Sequence, residues 1–152
     1  MKIIESIARS KGAMLEYRTC HGSYSYDGYS IAIYDDLDGR IFRSYSNILH
    51  DIAHYVVCPE KRKRMPEFGL GTSPDNETKV LSRVVNADTA FAEEAMASAL
   101  GIVWEKEIGY DWYRTYINHN WPAVSKESVF DTKNLFTKTL RKLYKRNYIS
   151  SI

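Results

Sequence analysis

The chain has 152 residues, 44% hydrophobic and 13% aromatic, enough apolar surface for one ordinary core and a single domain over 1–152. With 21 basic and 19 acidic side chains the net charge is +2, so no global field points to nucleic acid or to a membrane surface. No apolar run approaches the roughly 20 residues a bilayer crossing needs, and Met1 to Ala8 lacks a signal-peptide core, so the expectation is a cytoplasmic protein with no membrane partner.

Lys2 to Ala8 carries Ile3, Ile4 and Ile7 at helical spacing and Gly12 interrupts it, which predicts a short first helix. Met14 to Tyr17 either continues that helix or starts a strand. Ser23 to Tyr29 reads as a loop or irregular strand. Ser30 to Tyr34 is strand-like, Asp38-Gly39 is a strong turn dipeptide and Arg40 to Ser44 is a second short strand, so the two predict a β-hairpin. Cys20 and Cys58 are the only cysteines; their spacing is not that of a metal-ligand pair, and reduced thiols are expected.

The most informative stretch runs from Ser46 to Gly71. In His50-Asp51-Ile52-Ala53-His54 the two histidines are four apart, about 40° from each other on a helix at roughly 100° per residue, so both imidazoles can reach one metal ion. Leu49, Ile52, Ala53, Val56 and Val57 form an apolar arc beside the one that holds His50, Asp51, His54 and Tyr55. Ser46 and Asn47 are the expected caps, and Cys58-Pro59 the expected stop, because a residue before proline avoids the α region. The preceding strand suits edge pairing with an extended substrate. After the helix, Lys61 to Arg64 are four basic residues in a row, read as a solvated face or, through Arg62 and Arg64, as an anion contact. Met65 to Asp75 is too rich in Pro and Gly for a regular element, and is an ordered loop if Phe68 and Leu70 pack.

From Asp88 onward Ala90, Phe91, Ala95, Ala99 and Leu100 recur at helical spacing, with Asp88 as the expected cap and Gly101 as the expected end. This helix carries Glu93 and Glu94, the best local source of a third metal ligand, although acids near a helix start also complement its dipole. Trp104, Tyr110, Trp112 and Trp121 are expected to seal the core, and His21 and His119 to be surface or packing histidines. A final amphipathic helix spans about 125–147, with Val129, Leu135, Phe136, Leu140, Leu143 and Tyr144 inward. Its outward Lys138, Arg141, Lys142, Lys145 and Arg146 either complement the C-terminal dipole or meet an anionic partner.

Strands, a His-x-x-x-His helix and a later acid before an Ala-rich segment resemble zincin-type metalloproteases, particularly the ImmA/IrrE group. In local wording, His50 to Asp75 resembles elongation factor P hydroxylase. That family follows its His-Glu-x-x-His with basic residues, a Phe-Gly and a Pro-Asp, matched here by Arg62 and Arg64, Phe68-Gly69 and Pro74-Asp75. Its downstream glutamate, six residues before the leucine of an Ala-Leu pair, is matched by Glu94 and Ala99-Leu100. The likeness spans Phe42 to Leu100. It implies an α+β, zincin-like domain with a hairpin or sheet on the metal-binding helix and two further helices. Spacing and resemblance together give one divalent ion, zinc or iron(II), held by His50, His54 and Glu94, with Glu93 as the substitute. Asp51 is then the general base and Tyr55 the oxyanion donor toward an unknown protein or peptide substrate. Both families have glutamate where this chain has Asp51, whose side chain is one methylene shorter. The competing expectation is a lapsed metalloenzyme scaffold, such as a phage-encoded inhibitor, that binds a partner through its basic segments.

Overall fold

The computed structural model describes residues 1–21, 24–36, 38–71, 82–118 and 129–152, of which 118 and 129–132 are described by backbone alone. These residues form helices α1 (Lys2–Lys11), α2 (Tyr45–Val57), α3 (Ala87–Glu107), α4 (Trp112–Asn118) and α5 (Val129–Lys145), strands β1 (Leu15–Thr19) and β2 (Ile31–Tyr34), and 3-10 turns at Glu60–Arg62 and Pro66–Gly69. The architecture is mixed helix and sheet, as an α+β reading requires.

In α1 the helical spacing turns Ile4 and Ala8 inward, and Gly12 closes the helix in a left-handed conformation, φ 76°, with its N–H on the carbonyls of Ala8 and Arg9. The sheet differs from the expected hairpin. β2 pairs in parallel with β1, Leu15 opposite Ile31 and Glu16 opposite Ala32, so Met14 to Tyr17 leads into a strand. The segment after Asp38-Gly39 contributes one antiparallel bridge, Phe42 to Tyr34, with Arg43 N–H on Ile33 O at 2.9 Å. Two facts explain this. Ile31, Ala32 and Ile33 are fully buried, a continuous apolar run of the kind parallel strands carry. Ser44 leaves the ladder at once to cap α2, its Oγ accepting the Asn47 N–H at 3.2 Å.

That cap corrects the expected one. Ser46 is inside the helix, buried, and bonded to Thr115 Oγ1 at 3.0 Å. The other end of α2 is as expected, with Cys58 extended at ψ 134° before Pro59. Cys20 and Cys58 are free thiols. α3 is capped by Asn86, which accepts the Thr89 N–H at 2.8 Å, rather than by Asp88. It also runs through Gly101 instead of ending there. Ile102, Trp104 and Glu105 beyond it are buried, and a Cβ at Gly101 would stand 3.5 Å from His50 N, so packing against α2 carries the helix across a weak helix former.

In α5, Leu143 is fully buried, Leu135, Phe136 and Leu140 pack on the core, and Lys138, Arg141, Lys145 and Arg146 are exposed. Tyr144 is exposed at 47%, not inward as expected, because one residue past Leu143 lies about 100° around the helix from the buried stripe. Trp104 is buried, Trp112 half-buried, and Tyr110 exposed at 38% rather than sealing the core. Pro74-Asp75, His119, Trp121, residues 125–128 and the Val129 side chain lie outside the described residues. No helix among the described residues is long and apolar enough to cross a membrane.

One apolar cluster draws on α1, β2, α2, α3 and α5 and includes Ile4, Ile33, Leu49, Ile52, Leu100 and Leu143, all fully buried. Leu49→Ala, one residue before the first histidine, is expected to cost about 2–5 kcal/mol through lost burial and the cavity left behind. Urea denaturation of the variant measures it.

Candidate metal centre

His50 and His54 lie one turn apart on α2, and Glu94 faces them from α3. His50 Nε2 is 3.0 Å from Glu94 Oε1, His54 Nε2 is 2.9 Å from Glu94 Oε2, and the two Nε2 atoms are 3.0 Å apart. Gly101 on α3 lets the two helices come this close, since a Cβ there would stand 3.5 Å from His50 N and 3.7 Å from Leu49 C on α2. The side chains of His50 and Glu94 remain 30% and 40% exposed and that of His54 only 7%, so the cluster is open on one side.

Hydrogen bonding alone does not satisfy this triangle. A neutral imidazole has a single N–H. If both Nε2 atoms carry it, both carboxylate contacts are hydrogen bonds but two N–H groups meet at 3.0 Å. If one Nε2 is bare, it accepts from the other ring but turns a lone pair on a carboxylate oxygen. With Glu94 ionised, one of the three contacts is repulsive in either arrangement, whereas a divalent cation among them would attract both bare ring nitrogens and the carboxylate, and two imidazoles with a carboxylate suit zinc and iron(II) alike. The donor set therefore fits a metal.

Titration follows the same geometry. Burial lowers the His50 pKa, but the Glu94 charge and hydrogen bond outweigh it and the net shift is upward. Burial raises the Glu94 pKa, but His54 and His50 pull it well below the usual carboxylate range. Without metal, the His50 contribution to stability is full below the unfolded imidazole value of about 6.5 and is lost as pH rises through the raised folded value. The Glu94 contribution is full above the unfolded carboxyl value of about 4.3 and is lost as pH falls through the depressed one. In the presence of a chelator the cluster should therefore stabilise the fold most between about pH 4.5 and 6.5. Zinc should move the optimum upward, since ligands bind metal deprotonated. Denaturation midpoints across pH, with and without zinc, test both statements.

Residues around the ligands hold them in place. Ser98 Oγ lies 3.4 Å from His50 Nδ1. The Phe68 ring stacks on His54, centroids 5.4 Å apart at 18°, and Tyr26 stacks on Phe68 in turn, 4.1 Å away at 4°. Phe68 reaches His54 because Glu67, Phe68 and Gly69 are consecutive left-handed residues, with φ of 47°, 57° and 72°. For the two that are not glycine such a conformation costs on the order of 1–3 kcal/mol each. The Glu67 carboxylate offsets it by accepting the Tyr26 N–H at 3.0 Å and the Ser25 hydroxyl at 3.2 Å. The sequence marked Phe68-Gly69 as a motif, but nothing in it identified Phe68 as the support of a histidine.

The other candidate residues have different occupations. Asp51 is buried, its Oδ2 2.7 Å from Arg43 Nη2, and Arg43 also donates to Ala32 O at 2.9 Å. The carboxylate expected to act as a base is thus bound in an ion pair directed at β2. Tyr55 packs edge-on to Tyr26, 6.3 Å between centroids, and beneath Lys63 Nζ at 4.7 Å, with no ring contact to the histidines among the described residues. Arg62 is not an anion contact at the surface. It is 3% exposed, with its guanidinium on Glu93 and on Phe68 O. Arg64 is exposed. Glu93 and Glu94, 100° apart on the helix, serve separate partners, and of the two it is Glu94 that is grouped with the histidines.

The chain matches no family model, no curated protein and no solved structure. By its fold it is a mixed helix-and-sheet protein, and by its site one with two histidines and a glutamate close enough to hold a metal ion.

Proposed function

We propose that this protein is a metal-dependent enzyme of zincin-like type in which His50, His54 and Glu94 hold one divalent ion. The observation that carries the reading is the grouping of His50, His54 and Glu94 from two helices, with the two Nε2 atoms 3.0 Å apart and each 2.9–3.0 Å from one oxygen of the Glu94 carboxylate. Bound there, zinc would supply a Lewis acid for hydrolysis and iron(II) a redox centre for oxygen-dependent hydroxylation. Phe68 shields the His54 side from water, and the exposed sides of His50 and Glu94 leave an approach for a protein or peptide substrate. The Asp51–Arg43 ion pair favours the hydroxylating form, since peptide hydrolysis calls for a free base beside the centre. A cytoplasmic setting, where Cys20 and Cys58 stay reduced, fits the same reading.

The same ion pair also supports a second reading, a scaffold that binds without turnover and uses the exposed basic residues Lys138, Arg141 and Lys145 of α5 toward an anionic partner. Metal analysis of tag-free protein is the test of the enzyme reading. The wild type should carry near-stoichiometric zinc or iron, and His50→Ala/His54→Ala should carry almost none. Equal metal content in the two would remove the enzyme reading.

A further inference from the structure

We infer that Arg62 is the positioning residue of this centre, one buried guanidinium that aligns ligands on both helices at once. The inference rests on the metal reading above and extends it to a residue that touches no ligand directly. Arg62 follows α2 in the 3-10 turn Glu60–Arg62, where its N–H bonds Pro59 O at 2.9 Å. Its Nη2 pairs with Glu93, the residue directly before Glu94 on α3. Its Nη1 donates to Phe68 O at 2.8 Å, and the Phe68 ring is the one stacked on His54. The left-handed turn is wrapped on the arginine stem, since a Cβ at Gly69 would lie 3.3 Å from Arg62 Cδ.

The two anchors are far apart in sequence and act on different ligands. Glu93 fixes the rotation of α3 that presents Glu94, and the Phe68 carbonyl fixes the turn that braces His54. Glu93 Oε2 is buried and has no hydrogen-bond partner among the described residues, so that carboxylate depends on Arg62. A planar fork reaches both acceptors in one rigid unit, whereas a lysine ammonium is a single point on a flexible stem. A purely structural pair would stabilise the fold and leave the metal site unmoved; a positioning residue also changes how metal is held.

The test uses full-length, tag-free wild type, Arg62→Lys, Phe68→Leu and the double variant. Zinc affinity is read by chelator competition, the cobalt(II) absorption spectrum reports ligand geometry, and urea unfolding of the metal-free proteins measures stability separately. Each single variant should bind zinc about 10–100-fold more weakly, the range for partners that orient metal ligands. The cobalt bands should shift, and the double variant should lose little more than Arg62→Lys alone, because the Phe68 stack on His54 is one of the two routes by which Arg62 acts. Arg62→Lys within about threefold of wild type and with an unshifted cobalt spectrum overturns the inference, as do fully additive losses. Should Arg62→Lys fail to fold, Glu93→Gln decides, because it keeps Arg62 and removes the charge that ties it to the residue beside Glu94: weaker zinc binding with shifted cobalt bands supports the inference, and zinc affinity within about threefold of wild type with an unshifted spectrum overturns it. Wild-type protein that binds neither zinc nor cobalt overturns the metal reading itself, a different outcome from wild-type binding that Arg62→Lys leaves unchanged.

Discussion

Glu94→Ala should weaken zinc binding by more than the roughly 100-fold upper range for supporting residues, while Glu93→Ala should keep all three donors and lose about 3–5 kcal/mol of stability. The two acids are neighbours in sequence with opposite roles. Glu94 offers one oxygen to each histidine and is 40% exposed, so its loss removes a ligand without opening the core. Glu93 is buried against Arg62, and its removal leaves a guanidinium uncompensated at 4% side-chain exposure. Breaking one side of a buried pair is more damaging than never having built it. Zinc competition and urea unfolding on the same two variants separate the effects. Folded Glu93→Ala should lose no more zinc affinity than an orienting residue does.

The second large effect concerns Arg43 and Asp51, whose side chains are 8% and 10% exposed. Burial lowers the Arg43 pKa, but Asp51 outweighs it and the net shift is upward, so the buried guanidinium keeps its charge. Arg43→Met strands the Asp51 carboxylate and the Ala32 carbonyl and should cost about 3–5 kcal/mol. Arg43→Met/Asp51→Leu should recover most of that loss, since an apolar pair of similar volume avoids desolvating two charges. A double-mutant cycle on denaturation midpoints measures the coupling. The function of Asp51 is read from the same variants. If Asp51 were a hydrolytic base, Asp51→Asn would keep its metal and lose turnover. In the reading favoured above it loses stability, and whatever activity the folded fraction has persists.

How much of this was legible beforehand depends on the distance over which each feature is decided. That His50 and His54 share a side of one helix follows from spacing of four residues. So do the Gly12 and Pro59 stops and the division of α5 into Leu143 and Lys138 sides. Each is settled by backbone geometry within a turn or two, and periodicity displays it. The neighbouring identity of a cap was less secure, because Ser44, Ser46 and Asn47 all qualify chemically and the strand's end selects Ser44.

Other features had no local signature. Whether β2 meets β1 or the Phe42 segment, whether α3 continues past Gly101, and which of two adjacent acids turns to the histidines depend on segments that meet only in the folded chain. Arg62 looked like one of four solvated cations. A carboxylate 31 positions away and the Phe68 carbonyl made it a buried tie. Asp51 looked like a catalytic acid until Arg43 claimed it. Spacing along a helix is set by bonded geometry and can be read residue by residue; the partner of a buried charge is set by which surfaces exclude water together, and that is a property of the whole packed chain.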